Sequence, residues 1–223
     1  MIESPLVAGI VFHAGPIPVT KPVVTTWVIM AVLALGSFLA TRRLGVRPRR
    51  GQAVIEILVT AIEQQIRETT QAPSHRLLPL LGTLFIFLVV ANLSGAIPGV
   101  QPPTAHIETT GALALIVFLS THYYGIRSRG LLGYLGSFAK PTVLMLPLNL
   151  VSSVTRTFSL MVRLFGNIMS GEFVIAIVLS LAGLFVPVPL MLLEILTGLV
   201  QAYIFTVLAA VFISAATGSA EAA

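Results

Sequence analysis

The chain has 223 residues, 56% of them hydrophobic and only 9% charged, with a mean hydropathy of +0.98. Charged residues make up about a quarter of an ordinary soluble domain, so a water-soluble core is excluded and the bilayer is the solvent, in which each spanning segment must close its own backbone hydrogen bonds as a helix. The chain has no cysteine, which removes disulfides, thiolate metal sites and cysteine nucleophiles; its net charge of +5 lies in short basic clusters that orient membrane helices, not in a nucleic-acid-binding face.

Residues 1–22 read as an external lead. Glu3 stands where a signal peptide would carry a basic residue, and Gly15, Pro16 and Pro18 follow. Glu3, His13 and, at the other end, Glu221 are expected to be solvated. A first spanning helix is expected over 23–42. The block Arg42, Arg43, Arg47, Arg49, Arg50 then marks the cytoplasmic side and places the N-terminus outside. Over 51–71, Val54, Ile55, Leu58, Val59, Ile62 and Ile66 recur at helical spacing, with Glu56, Glu63, Gln64, Arg67 and Glu68 between them. This is an amphipathic helix, too polar to span. It is suited to lie on the cytoplasmic surface or against a partner subunit. Ala72-Pro73-Ser74 ends it.

A spanning hairpin is expected over 77–126. It runs outward from Leu77 to about Ile97, with Asn92, Ser94 and Gly95 near its outer end, and returns from about Thr110 to Ile126. The outer loop, PGVQPPTAHIE, holds His106 and Glu108 but no Lys or Arg; Arg127, Arg129 and Lys140 follow on the inside. The last pair occupies 142–217. Pro141 and Pro147 flank its start, Pro187 and Pro189 mark a turn, and the C-terminus is cytoplasmic. From Pro147 to Leu184, roughly 38 helical residues would extend about 57 Å, against a hydrocarbon core near 30 Å. Two such overlong neighbours must tilt strongly, kink, or lie partly along the interface. The fold class is therefore an all-α membrane protein of about five embedded helices and one amphipathic surface helix.

The long pair carries nearly all the intramembrane polarity. An arginine at membrane depth costs from about 2.5 to more than about 10 kcal/mol without a partner or water, and Arg163 lies in the middle of such a segment, in RTFSLMVRLFGNIMSGE. Arg156 and Arg163 are seven residues apart, on one face and separated by about 10.5 Å. Asn167 lies one turn beyond. Glu172 is about 180° round the helix from Arg163 and cannot pair with it locally. On the final helix Glu194 and Gln201 share a face, with Thr197 and Gly198 between them. Two readings follow. Arg163 pairs with Glu194 and locks the bundle, or its partner comes from another chain, admitted by the small residues Ser159, Gly166, Ser170 and Gly171. In either case the guanidinium stays protonated. It is a fixed barrier to cations and an attractor for a mobile carboxylate.

These residues match a family. The run SLMVRLFGNIMSGE (159–172) resembles the diagnostic motif of the subunit a family of rotary F-type ATP synthases. NLSGAIPGVQPPTAHIETTGALALIVFLSTHYYGI (92–126) resembles that family's helical hairpin, and LLEILTGLVQAYIFTVLAAVFIS (192–214) its last helix. The likeness covers nearly the whole chain, in the same element order. It implies a stator in the membrane sector, with no bond chemistry of its own, no cofactor and no fixed metal. The implied partners are a ring of subunit c hairpins, peripheral-stalk subunit b, membrane lipid and the transported H⁺ or Na⁺, which would bind only transiently. By resemblance, Arg163 favours the ionised ring carboxylate and blocks leakage between two offset half-channels. Asn167, Glu172, Glu194 and Gln201 match polar positions along the ion path, with Ser170 beside them. Arg156 falls where relatives carry basic or polar residues, to line the cytoplasmic exit, bind headgroups or snorkel. His106 departs from the acidic or amide residue many relatives have, which leaves a surface-loop histidine as the simpler reading.

Two carboxylates near each other would share a proton, as in a proton relay; the same oxygens with Gln201 would also suit Na⁺. The short N-terminal lead resembles the short bacterial form, including the N-type variety associated with Na⁺, and a bacterial inner membrane is the expected location. A secondary transporter or channel would also carry an intramembrane arginine with paired acids, but internal repeats are missing. A purely structural anchor would tolerate lysine at 163.

Overall fold

A computed structural model describes residues 10–14, 17–42, 50–70, 74–97, 100–138, 145–183 and 185–218. Glu3, Arg43, Arg47, Arg49, Ala72, Pro73, Lys140, Pro141 and Glu221 lie outside them. The chain is an all-α membrane protein, with one small addition ahead of the first helix. Strands β1 (Ile10–Ala14) and β2 (Ile17–Thr20) pair antiparallel, Ile10 opposite Thr20 and Ala14 opposite Ile17, with an irregularity between Ile10 and Phe12. Both strands fall within the lead at 1–22. Its signal is two β-branched runs separated by Gly15-Pro16.

Helix α1 is Lys21–Thr41, with Pro22 in its first turn, where no N–H partner is lost. Trp27, Val32, Leu35, Phe38 and Leu39 are all exposed around its circumference. A helix apolar on every side belongs in lipid. Helix α2 (Arg50–Thr69) is amphipathic: Ile62 and Ile66 are buried, while exposed polar pairs one turn apart run along it. Gln52 donates to Glu56 at 2.8 Å, Gln64 to Glu68 at 2.8 Å, and Arg67 to Glu63 at 3.2 Å. Each such pair adds about 0.2–0.5 kcal/mol. The apolar side of α2 packs on α3 and α6.

Helix α3 (Ser74–Leu93) buries Leu77, Leu81, Leu84, Leu88 and Ala91, an alternating four-three spacing that keeps one stripe on the core. Two 3-10 turns, Ser94–Ala96 and Pro103–Ala105, lie in the connection to the next helix. Helix α4 (Ile107–Phe138) continues well past the expected end at Ile126 and kinks at Gly130, whose φ of 72° is open to glycine. After the kink the chain folds back. Tyr134, 4% exposed, lies against Gly125, where a Cβ would run into its ring, and meets His122 edge-on at 5.9 Å. Gly125→Ala is therefore expected to destabilise the protein by about 1–3 kcal/mol through overpacking, read as a lower thermal midpoint in detergent.

Helix α5 (Met145–Ala182) is continuous over 38 residues, and α6 (Val188–Thr217) over 30. Pro147 falls in the first turn of α5, and Pro187 and Pro189 at the start of α6, positions where proline is tolerated. Gly218 caps α6 with φ 79°, and Ser128 Oγ, just before the α4 kink, donates to the Thr217 carbonyl at 3.2 Å, tying α4 to the C-terminal end of α6. Among the described residues four helices are long and apolar enough to cross a membrane: Lys21–Thr41, Arg76–Ala96, Met145–Ala182 and Val188–Thr217. Helix α4 is not among them, because His122, Tyr123 and Tyr124 interrupt its apolar run. It is nevertheless packed inside the bundle against α5 and α6. The core brings together Leu81 and Leu88 of α3, Val117 of α4, Leu160 and Leu164 of α5, and Phe205, Ala209 and Ile213 of α6.

Candidate functional site

Leu160, Leu164 and Ile168 form the buried stripe of α5, one turn apart. Arg163 is one residue, about 100°, from the centre of that stripe, so its side chain leaves the packed face and is exposed. Ser159, Gly166 and Ser170 are exposed beside it. Across the gap, α6 shows Leu192, Leu196, Val200 and Tyr203 outward. Around Arg163 the outer surface of the pair is thus apolar and small-residue-rich, with Arg156 the next cation on α5, two turns away. Among the described residues Arg163 has no ion pair and no hydrogen bond from its side chain. The lock between Arg163 and Glu194 is not formed.

Glu194 goes elsewhere. It reaches over Gly171, the residue before Glu172, where an added Cβ would lie 2.8 Å from its Oε1. Both acids are half-buried. Glu172, half a turn round α5 from Arg163, directly follows Gly171, about 100° farther round the helix. Gln201 is 5% exposed, and its Nε2 finds no partner among the described residues. Asn167 is half-buried and its carbonyl accepts from Ser170 Oγ at 3.0 Å. Thr197 spends its hydroxyl on the Glu194 carbonyl at 3.0 Å.

Toward the start of α5, Arg156 donates from Nε to the Ser152 carbonyl at 3.3 Å, and its Cζ lies 5.4 Å from the centre of the Phe212 ring. It borders a cavity of about 150 Å³ lined by Thr121, Tyr134, Asn149, Ser153 and Thr157 among others. Sequence reading missed this cavity. The polar spacing 149, 153, 156, 157 carried the signal for the α5 wall, but Tyr134 arrives only through the kink at Gly130.

His106 ends the second 3-10 turn, half-buried, and its ring makes no hydrogen bond to Glu172 or Glu194 among the described residues. Burial lowers its pKa from the ordinary histidine value, against the opposing pull of Glu108. The unfolded chain then holds that proton more tightly. Its contribution to stability is present above the unfolded value and is lost as pH falls from there through the lower, folded one. His106→Asn is accordingly expected to leave ion transport unchanged above neutral pH, as checked by uptake assays over a pH series.

Residues 23–214 match the sequence model of the family described as ATP synthase A chain. The chain belongs to that family. It is 64% identical to ATP synthase subunit a 2 of a Bradyrhizobium species over 98% of each chain. It is 47% identical to ATP synthase subunit a 1 of Chlorobaculum parvum over 95% of each, and 48% identical to ATP synthase subunit a of Albidiferax ferrireducens over 93% of this chain and 91% of the other. The ATP synthase A chain match spans α1 to α6 and so includes every candidate residue from Arg156 to Gln201.

Proposed function

We propose that this chain is the stator that carries the coupling ion past a rotating ring of carboxylate-bearing subunit c hairpins. Membership of the ATP synthase A chain family supports a stator role in the membrane sector. One arrangement carries the finer reading: the unpaired Arg163 stands between two polar regions. The Glu172–Glu194 pair lies about 13.5 Å along α5 in one direction, and the Arg156 cavity about 10.5 Å in the other.

In this reading the acid pair, with Asn167, Ser170 and Gln201, lines the outer access path. The cavity at Arg156 lines the inner one. An ion enters on one side, rides a ring carboxylate, and leaves on the other. Arg163 draws the ionised carboxylate past the gap and denies a direct route, because a guanidinium keeps its charge. The N-terminus is external and the C-terminus cytoplasmic in a bacterial inner membrane, with subunit b and lipid on the faces away from the ring. The coupling ion is H⁺ or Na⁺. ATP-driven uptake of each ion into liposomes holding the complete complex, with and without Arg163, tests the proposal.

A further inference from the structure

At the outer end of α3, a buried amide makes a bridge that the ion path just described does not use. Asn92, 7% exposed, donates from Nδ2 to the Gly198 carbonyl at 2.7 Å and accepts at Oδ1 from Thr104 Oγ1 at 2.8 Å. Thr104 is fully buried. Three separate elements meet there: α3, the outer turn Pro103–Ala105, and α6. The close approach depends on Gly198, where a Cβ would lie 3.0 Å from the Cβ of Asn92. A mid-helix carbonyl already serves the N–H four residues on, so the Asn92 donor is an additional one. It fixes the rotation and the depth of α6 relative to α3.

The bridge sits within the polar stretch of α6. Gly198 is four residues after Glu194 and three before Gln201, so both are about one turn away. Glu194 is held over Gly171, and Gln201 keeps a buried donor without a partner among the described residues. A helix left free to rotate would relieve an unsatisfied buried donor, whose desolvation is uncompensated where it stands. Rotating α6 by about 20° would shift side-chain ends by about 2 Å. Misplacement of about 1 Å is enough to slow a transfer step by up to about 100-fold.

We propose that Asn92 and Thr104 are positioning residues, a latch from the outer loop through α3 that fixes the rotation of α6 and holds Glu194 and Gln201 in place for ion transfer. The proposal rests on the ion-path reading above. Thr104→Val keeps the shape and removes the donor; Thr104→Ser keeps the donor; Asn92→Asp keeps the shape and replaces the donor to Gly198 with an acceptor. In the complete complex, ions moved per ATP hydrolysed are expected to fall about 3- to 10-fold in Thr104→Val. Thr104→Ser should recover the wild-type ratio, and Asn92→Asp should fall further. Adding Thr104→Val to Asn92→Asp should change little, since one bridge is already broken. Transport by Thr104→Val at the wild-type ratio would overturn the latch, as would equal losses in Val and Ser. So would failure of both Val and Asp variants to assemble, which would reduce the bridge to packing. Arg163→Ala run in parallel separates the two readings: if it is inactive while Thr104→Val is normal, only the latch falls.

Discussion

Arg163→Ala is expected to abolish ATP-driven ion uptake while the complex still assembles at wild-type level. The two halves of that expectation have different physical sources. Assembly survives because the side chain is exposed and has no hydrogen bond or ion pair among the described residues. Removing it strands no buried partner, and it removes a charge whose placement at membrane depth costs at least about 2.5 kcal/mol. Transport fails because no other cation lies at that level of the outer face: Arg156, the next one on α5, is two turns away and donates to its own helix and stacks on Phe212. Ser159, Gly166 and Ser170 are neutral, and the α6 face is apolar. Without the fixed charge the barrier between the two access paths also disappears. The passive leak of ions in the absence of ATP should therefore rise, and fluorescence traces in liposomes would show it. Lysine is expected to fail as well, since an ammonium loses the planar fork and is readily neutralised when desolvated. Normal uptake by the alanine variant would make Arg163 structural and sink the stator mechanism; normal uptake by lysine alone would favour a simple anchor.

Composition makes the membrane class legible, and the motif around Arg163 makes the family legible. Both depend on what a single helix displays along its own axis. Arg163, Glu172, Glu194 and Gln201 stand out as polar residues in apolar runs, and helical periodicity is enough to show that Glu172 faces away from Arg163. What stays hidden in the sequence depends on one element meeting another. The approach of Glu194 over Gly171 needs the relative rotation of α5 and α6. The bridge from Asn92 to Gly198 joins residues 106 positions apart. Tyr134 reaches the Arg156 cavity only because Gly130 turns the end of α4 back on itself, and charge patterning sees that stretch merely as a basic inner loop. The β1–β2 pair is a different case. Its apolar residues are few, and beside a 21-residue apolar helix they carry little weight in a hydropathy reading.

Neutralising the acid pair should give the second large effect, and its form should name the ion. Glu194 reaches the α5 backbone next to Glu172 because Gly171 has no side chain in its way. If they relay protons, each carboxyl can take over part of the other's task. Single changes to Gln should then lower uptake by roughly 3- to 10-fold, consistent with the coupling expected between residues in contact. The double change Glu172→Gln, Glu194→Gln should reduce H⁺ uptake below detection, because an amide neither gives up nor accepts a proton at physiological pH. Sodium would behave otherwise. Its ligands need only be oxygens, and a glutamine carbonyl keeps one in nearly the same place, with Gln201 two turns farther along α6. Under Na⁺ coupling the double variant should retain measurable Na⁺ uptake with a raised requirement for the ion, while replacement of the same pair by Leu removes the oxygens and the transport together. Parallel ²²Na⁺ and pH-dye measurements on the four variants separate the cases. Full H⁺ uptake by the double Gln variant would show that the pair takes no part in the path, whatever Arg163 does.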